Sequence, residues 1–184
     1  MKKILLIIGF VCFQSLSAQN IMDFDLKNVE LQGMKPAKIN QEMKNVGITK
    51  MPFVTSDPHI ISKITDPGIA SKIKTVYAFT YDDPGDDLND GGVFVYQFVS
   101  KKDLESYIAG KFEQPNYRIL VKDLFVIKIW SDFGYQIEGK ETSDDHLNKM
   151  EKYYTKLGAK RIVLKPDESI IETATTATDQ TYTH

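Results

Sequence analysis

The segment from Asp82 to Gly92 holds the densest chemistry in this 184-residue chain, with five aspartates and one asparagine in eleven residues. Asp82, Asp83, Asp86, Asp87 and Asp90 could offer oxygen ligands to a hard cation such as calcium or magnesium. A twelve-residue calcium loop begun at Asp86 would put Asp90 and Gly91 at its fifth and sixth positions, but Leu88 falls at the third and Gln97 at the twelfth. The bidentate glutamate that closes such a loop is therefore missing. Turn chemistry accounts for every residue type present: Pro-Gly and Gly-Gly reverse the chain, while Asp and Asn bond to the backbone and to water. The stretch reads first as a long hairpin loop. Its alternative is the site of a calcium- or magnesium-dependent hydrolase or metal-binding protein.

Other chemistry is thin. His59, His146 and His184 are the only histidines, and none stands at a metal-ligand spacing from another. Asp57-Pro58-His59 and Asp144-Asp145-His146 fit helix starts, where carboxylates meet free N–H groups. The sequence has no Gly-x-Ser-x-Gly, no phosphate-binding Gly-rich loop and no dinucleotide fingerprint. A catalytic triad can still assemble from distant residues. No cofactor is implied, apart from calcium at the aspartates.

The elements that would position these residues are clearest from Thr75 onward. Val76–Tyr81 and Val93–Val99 read as strands rich in aromatic and β-branched residues. Ser100 heads a helix whose apolar positions are Leu104, Tyr107, Ile108 and Phe112. Gln114-Pro115-Asn116 breaks it, and Arg118–Val121 and Leu124–Trp130 follow as strands. Ser143 is expected to cap a second helix with the stripe Leu147, Met150, Tyr154 and Leu157, stopped by Gly158. Arg161–Leu164 closes the set as a strand. The fold class is α+β: a ferredoxin-like βαββαβ arrangement over about 93–165, with an extra N-terminal hairpin strand.

Alternation assigns Tyr77, Phe79 and Tyr81 to one strand face, and Phe94, Tyr96 and Phe98 to one face of the next. These aromatics are expected to form one core under the helices, with Phe125, Ile127 and Ile129. The opposite face would then carry Val76, Ala78, Val93, Val95, Val99, Leu124, Val126 and Trp130, and it needs cover. Residues 19–74, with short helices at Ile39–Val46 and Ile60–Ile64, are expected to supply it as a lid through Phe53, Val54, Ile60, Ile61 and Ile64. A second copy of the chain, pairing sheet faces, is the other source of cover. Residues 19–165 form a single domain on this reading, and the threonine-rich stretch 166–184 reads as a disordered tail.

The start of the chain resembles bacterial secretory leaders. Met1-Lys2-Lys3 precedes ten uncharged residues, Ile4–Phe13, and Gln14–Ala18 supplies the small and polar residues before a cut. Ten residues span about 15 Å as a helix against roughly 30 Å of hydrocarbon, so cleavage before Gln19 is expected rather than a membrane span. Cys12 is the only cysteine and lies inside this leader, so the mature chain can form no disulfide. It would carry 21 basic and 25 acidic residues, net −4, which gives no footprint for nucleic acid and no lasting membrane anchor. The expectation is an exported, periplasmic or secreted, non-catalytic domain that binds a protein partner or small ligand, or forms a homodimer.

Overall fold

The computed structural model describes residues 20–109, 111, 115–132, 141–163 and 171–172; the expected leader lies outside them. After a short 3-10 helix at Ile21–Phe24 come β1 (Lys35–Pro36), α1 (Gln41–Asn45), β2 (Phe53–Thr55), α2 (Pro58–Ile64) and α3 (Pro67–Ala70). The main body follows as β3 (Ile73–Asp83), β4 (Asp86–Phe98), α4 (Lys101–Ile108), β5 (Tyr117–Lys122), β6 (Phe125–Ser131), α5 (Ser143–Lys156), β7 (Lys160–Val163) and β8 (Ile171–Glu172).

Local chemistry sets most of these boundaries. Asp57 and Asp66 each precede a proline, and their carboxylates accept the N–H groups of His59 and Gly68, which starts α2 and α3. Ser100 caps α4. The cap of α5 is Thr142, one residue before the expected Ser143, because Asp145 completes a reciprocal pair: Thr142 Oγ1 accepts from Asp145 N, and Thr142 N donates to Asp145 Oδ2. Gly158, at φ 89°, ends that helix where a side chain would be strained.

The protein is a mixed α+β structure built on one antiparallel sheet, in the order β1-β3-β4-β6-β5-β7-β8, with β2 also paired to β3. This corrects the ferredoxin-like expectation. In that arrangement the last strand lies beside the first and both helices cover one face. Here β3 pairs along β4 from Ile73↔Phe98 to Asp83↔Asp86 and occupies the position beside it. The strand that would close that pattern, β7, instead pairs with the far side of β5. The helices also part: α4 packs with Phe98, Ile119 and Val126, whereas α5 packs with Tyr77, Leu120 and Ile127 on the other face.

The strand faces also differ from the expectation. Tyr77 stands opposite Val95, and Ala78 opposite Phe94, so the two aromatic stripes lie on opposite sides of the sheet. One side carries Tyr77, Phe79, Tyr81, Val93, Val95, Phe125, Ile127 and Ile129 under α5. The other carries Val76, Phe94, Tyr96, Phe98 and Val126 toward α4 and α2. The cause lies in the acidic segment. It is not a long loop, because strands run up to Asp83 and resume at Asp86, leaving Pro84-Gly85 as the turn. Regular pairing from Asp83↔Asp86 would set Asp82 opposite Asp87, but Asp82 pairs with Asp90, three residues further on. An odd offset exchanges the two faces of a strand relative to its neighbour.

The N-terminal segment covers both sides. Residues 21–34 lie on the α5 side, where tyrosine hydroxyls clamp them: Tyr77 donates to Asp25 Oδ1 (2.8 Å), Tyr81 to Leu26 O (2.9 Å), Tyr154 to Phe24 O (2.9 Å) and Tyr153 to Asp25 O (2.7 Å). Ile61 is buried on the opposite side with Ile64 and Ile69 beside it. Phe53 is buried against Ala78 within β2, whereas its neighbour Val54 is exposed. The expected lid residues are thus split between a helix and an edge strand, with Val54 exposed. In the threonine-rich stretch, Ile171–Glu172 pairs with β7. The other tail residues lie outside the described ones.

Candidate functional site

The five aspartates fall on two paired strands. Asp82 Oδ2 accepts from Lys38 N (3.2 Å), Asp83 Oδ1 from Gly85 N (2.8 Å) and Asp90 Oδ1 from Trp130 Nε1 (3.1 Å). The side chains of Asp86 and Asp87 lie outside the described residues. Among the described residues no group of three or more His, Cys, Asp or Glu side chains could hold a metal ion. Each of the three described carboxylates already accepts an N–H from the protein itself.

Beside this hairpin, the side of the sheet facing α4 opens into a cleft of about 400 Å3 lined by Phe94, Asn116, Tyr117, Lys128, Trp130 and Asp132. Register builds it. Trp130 pairs with Gly92 on β4 and with Tyr117 on β5, while Phe94 pairs with Lys128. Because Gly92 has no Cβ, the indole can lie over it; an added Cβ would stand 3.0 Å from Trp130 Cη2. The Phe94 and Trp130 rings stack with centroids 5.2 Å apart and planes 16° apart. The Asp90 bond holds the indole edge, and Asn116 Nδ2 donates to Asp132 Oδ1 (2.9 Å) at the rim.

The electrostatics of the cleft are mixed. Lys128 Nζ sits 4.5 Å from the centroid of the Tyr117 ring. Burial, and then the neighbouring Lys111, push the Lys128 ammonium below the usual lysine range. Burial pushes the Asp90 carboxyl up, the Trp130 bond pulls it back, and Asp132 and Asp82 push it further up. Flat apolar walls, one amide, one carboxylate and one partly desolvated ammonium therefore meet at a single opening. That composition is suited to holding a ligand by shape and hydrogen bonds.

A second cluster has the residue types of a hydrolytic triad. Ser131 Oγ lies 3.2 Å from His146 Nδ1, and His146 Nε2 lies 3.5 Å from Glu141 Oε2. Ser131 and His146 are both 0 % exposed, so in this arrangement the hydroxyl cannot meet a substrate. The cluster joins elements instead. Gln32 N donates to Glu141 Oε2 (2.9 Å), Glu141 N donates to Gln32 Oε1 (3.1 Å), and Lys149 pairs with the same carboxylate. Strand β6, the start of α5 and the N-terminal segment meet at one buried imidazole.

That imidazole makes stability depend on pH. Burial pushes the His146 pKa below its ordinary value of 6.5, against the pull of Glu141 and of a backbone hydrogen bond at Gln32; Lys149 also lowers it and Asp145 raises it. Below pH 6.5 the unfolded chain binds a proton that the folded chain resists, so this stability is complete above 6.5 and is lost as the pH falls toward the folded value. The slope approaches about 1.4 kcal/mol per pH unit at most. Urea unfolding between pH 7.5 and 5 is expected to show it, and His146→Asn should flatten it. Equal slopes in the two proteins would assign the acid sensitivity elsewhere.

The sequence places Trp130 on a face in need of cover and Asn116 within a helix break. It has no signal joining Tyr117, Lys128 and Asp132, because their meeting depends on the pairing of β5 with β6. Likewise His146 read as helix-start chemistry, whereas its partners Ser131 and Gln32 come from other elements. The chain matches no protein-family model, no curated protein and no solved structure.

Proposed function

We propose that the chain is an exported, non-catalytic binding domain, cut from its leader before Gln19 and acting in the periplasm or outside the cell, with the cleft at Trp130 as its ligand site. The cleft carries this reading: it joins stacked aromatic rings to convergent polar groups on a rigid sheet. The buried Ser131 argues against hydrolysis at the cluster that has the right residue types for it. Protein purified from the exported fraction in native buffer, then denatured, is expected to release a small molecule detectable by mass spectrometry. Protein carrying Trp130→Ala and Tyr117→Ala should release much less of it. Equal release from both proteins would place the ligand site elsewhere, and no release from either would count against a small-ligand role.

A further inference from the structure

From the chemistry of the cleft, we infer that its ligand is a neutral saccharide, held against the stacked Trp130 and Phe94 rings with its hydroxyls on Asn116, Lys128 and Asp132, Lys128 itself being seated over Tyr117. This rests on the cleft being the binding site; of the ligand classes that fit it, a neutral saccharide leaves the fewest of its groups unmatched.

An aromatic or aliphatic anion would suit Lys128 but would meet Asp132 at the same rim, with Asp90 behind the indole. A cation would suit the rings and carboxylates, but Lys128 Nζ already occupies the Tyr117 ring face at 4.5 Å and would repel it. A purely apolar molecule would strip water from an amide, a carboxylate and an ammonium without replacing their hydrogen bonds. A sugar ring avoids all three conflicts. Its C–H face is flat and apolar enough to lie on an indole. Each hydroxyl both donates and accepts, so one can give to Asp132, another can accept from Lys128, and a third can do both with Asn116. The volume, about 400 Å3, is within the range of small-molecule sites.

Trp130 is the only tryptophan in the chain, so its indole N–H gives one signal in a 15N–1H spectrum and reports the cleft directly. The mature domain would be titrated with maltotetraose, cellotetraose, xylotetraose and diacetylchitobiose, and in parallel with benzoate and tetramethylammonium. At least one saccharide is expected to move the indole signal to saturation below about 10 mM. Asp132→Ala and Lys128→Gln should each weaken that binding about tenfold while the rest of the spectrum stays dispersed and in place. A shift with benzoate or tetramethylammonium but with no saccharide would overturn the saccharide inference and leave the cleft as a binding site. No shift with any of the six would overturn the inference and the cleft reading together.

Discussion

Gly92→Ala is expected to destabilise the domain by on the order of 4 kcal/mol or more, a large part of the roughly 5–15 kcal/mol that typically holds a domain folded. At φ 154°, a Cβ on residue 92 would stand 2.3 Å from Phe79 O and 2.9 Å from Thr80 Cα. Both atoms belong to the backbone of β3, which pairs with β4 at this point, so neither can turn aside as a side-chain tip could. The indole of Trp130 closes the third direction. Relief would require parting the two strands at the centre of the sheet. Gly33→Ala provides the comparison: Gly33 also has positive φ, at 83°, but nothing lies within 4 Å of the added carbon. That variant should lose only about 1 kcal/mol. Urea titrations of the two proteins separate crowding from backbone preference. If both lose the same small amount, close approach at Gly92 is not what holds β3 and β4 in place.

Arg118→Met is expected to cost about 3 kcal/mol. The Arg118 side chain, 10 % exposed, reaches from β5 to α5, where Nη1 lies 2.6 Å from Glu151 Oε2 and 2.8 Å from Asn148 Oδ1. Its Nη2 lies 3.4 Å from Asp144 Oδ1. Removing the cation leaves Glu151, itself 11 % exposed, as a nearly buried carboxylate. Arg161 Nη1 remains 3.2 Å from that carboxylate, which keeps the loss near the lower end for a broken buried pair. The double variant Arg118→Met, Glu151→Leu should lose less than the two single losses combined, because it strands no buried charge beside the missing partner. High salt should change these values little, whereas it screens the exposed Lys101–Glu105 pair on α4. Simple additivity in the double variant would mean that the two charges do not act as a pair.

Both predictions concern contacts between elements, and such contacts were the least legible in the sequence. What the chain alone determined is local. The strand at Val93–Val99, the Ser100 cap, the pair of strands around Lys122-Asp123 and the stripe of α5 up to Gly158 all rest on residues within a few positions of one another. Their order along the chain followed from the same patterns, and so did the α+β class. The tertiary structure decided which face each strand turns where. An offset of three residues between Asp83↔Asp86 and Asp82↔Asp90 exchanged the faces of β4 relative to β3. It set Tyr77 opposite Val95 under α5, while the pairing of β4 with β6, Gly92↔Trp130 and Phe94↔Lys128, put Phe94 beside Trp130. Alternation within one strand says which residues share a face, but only pairing with the next strand says which faces coincide. The cleft depends on the pairing of β6 with β4 and β5, and the Ser131–His146–Glu141 cluster on the packing of α5 and the N-terminal segment against β6, so their members come from separate elements. A sequence pattern carries no term for such contacts; the packed sheet decides them.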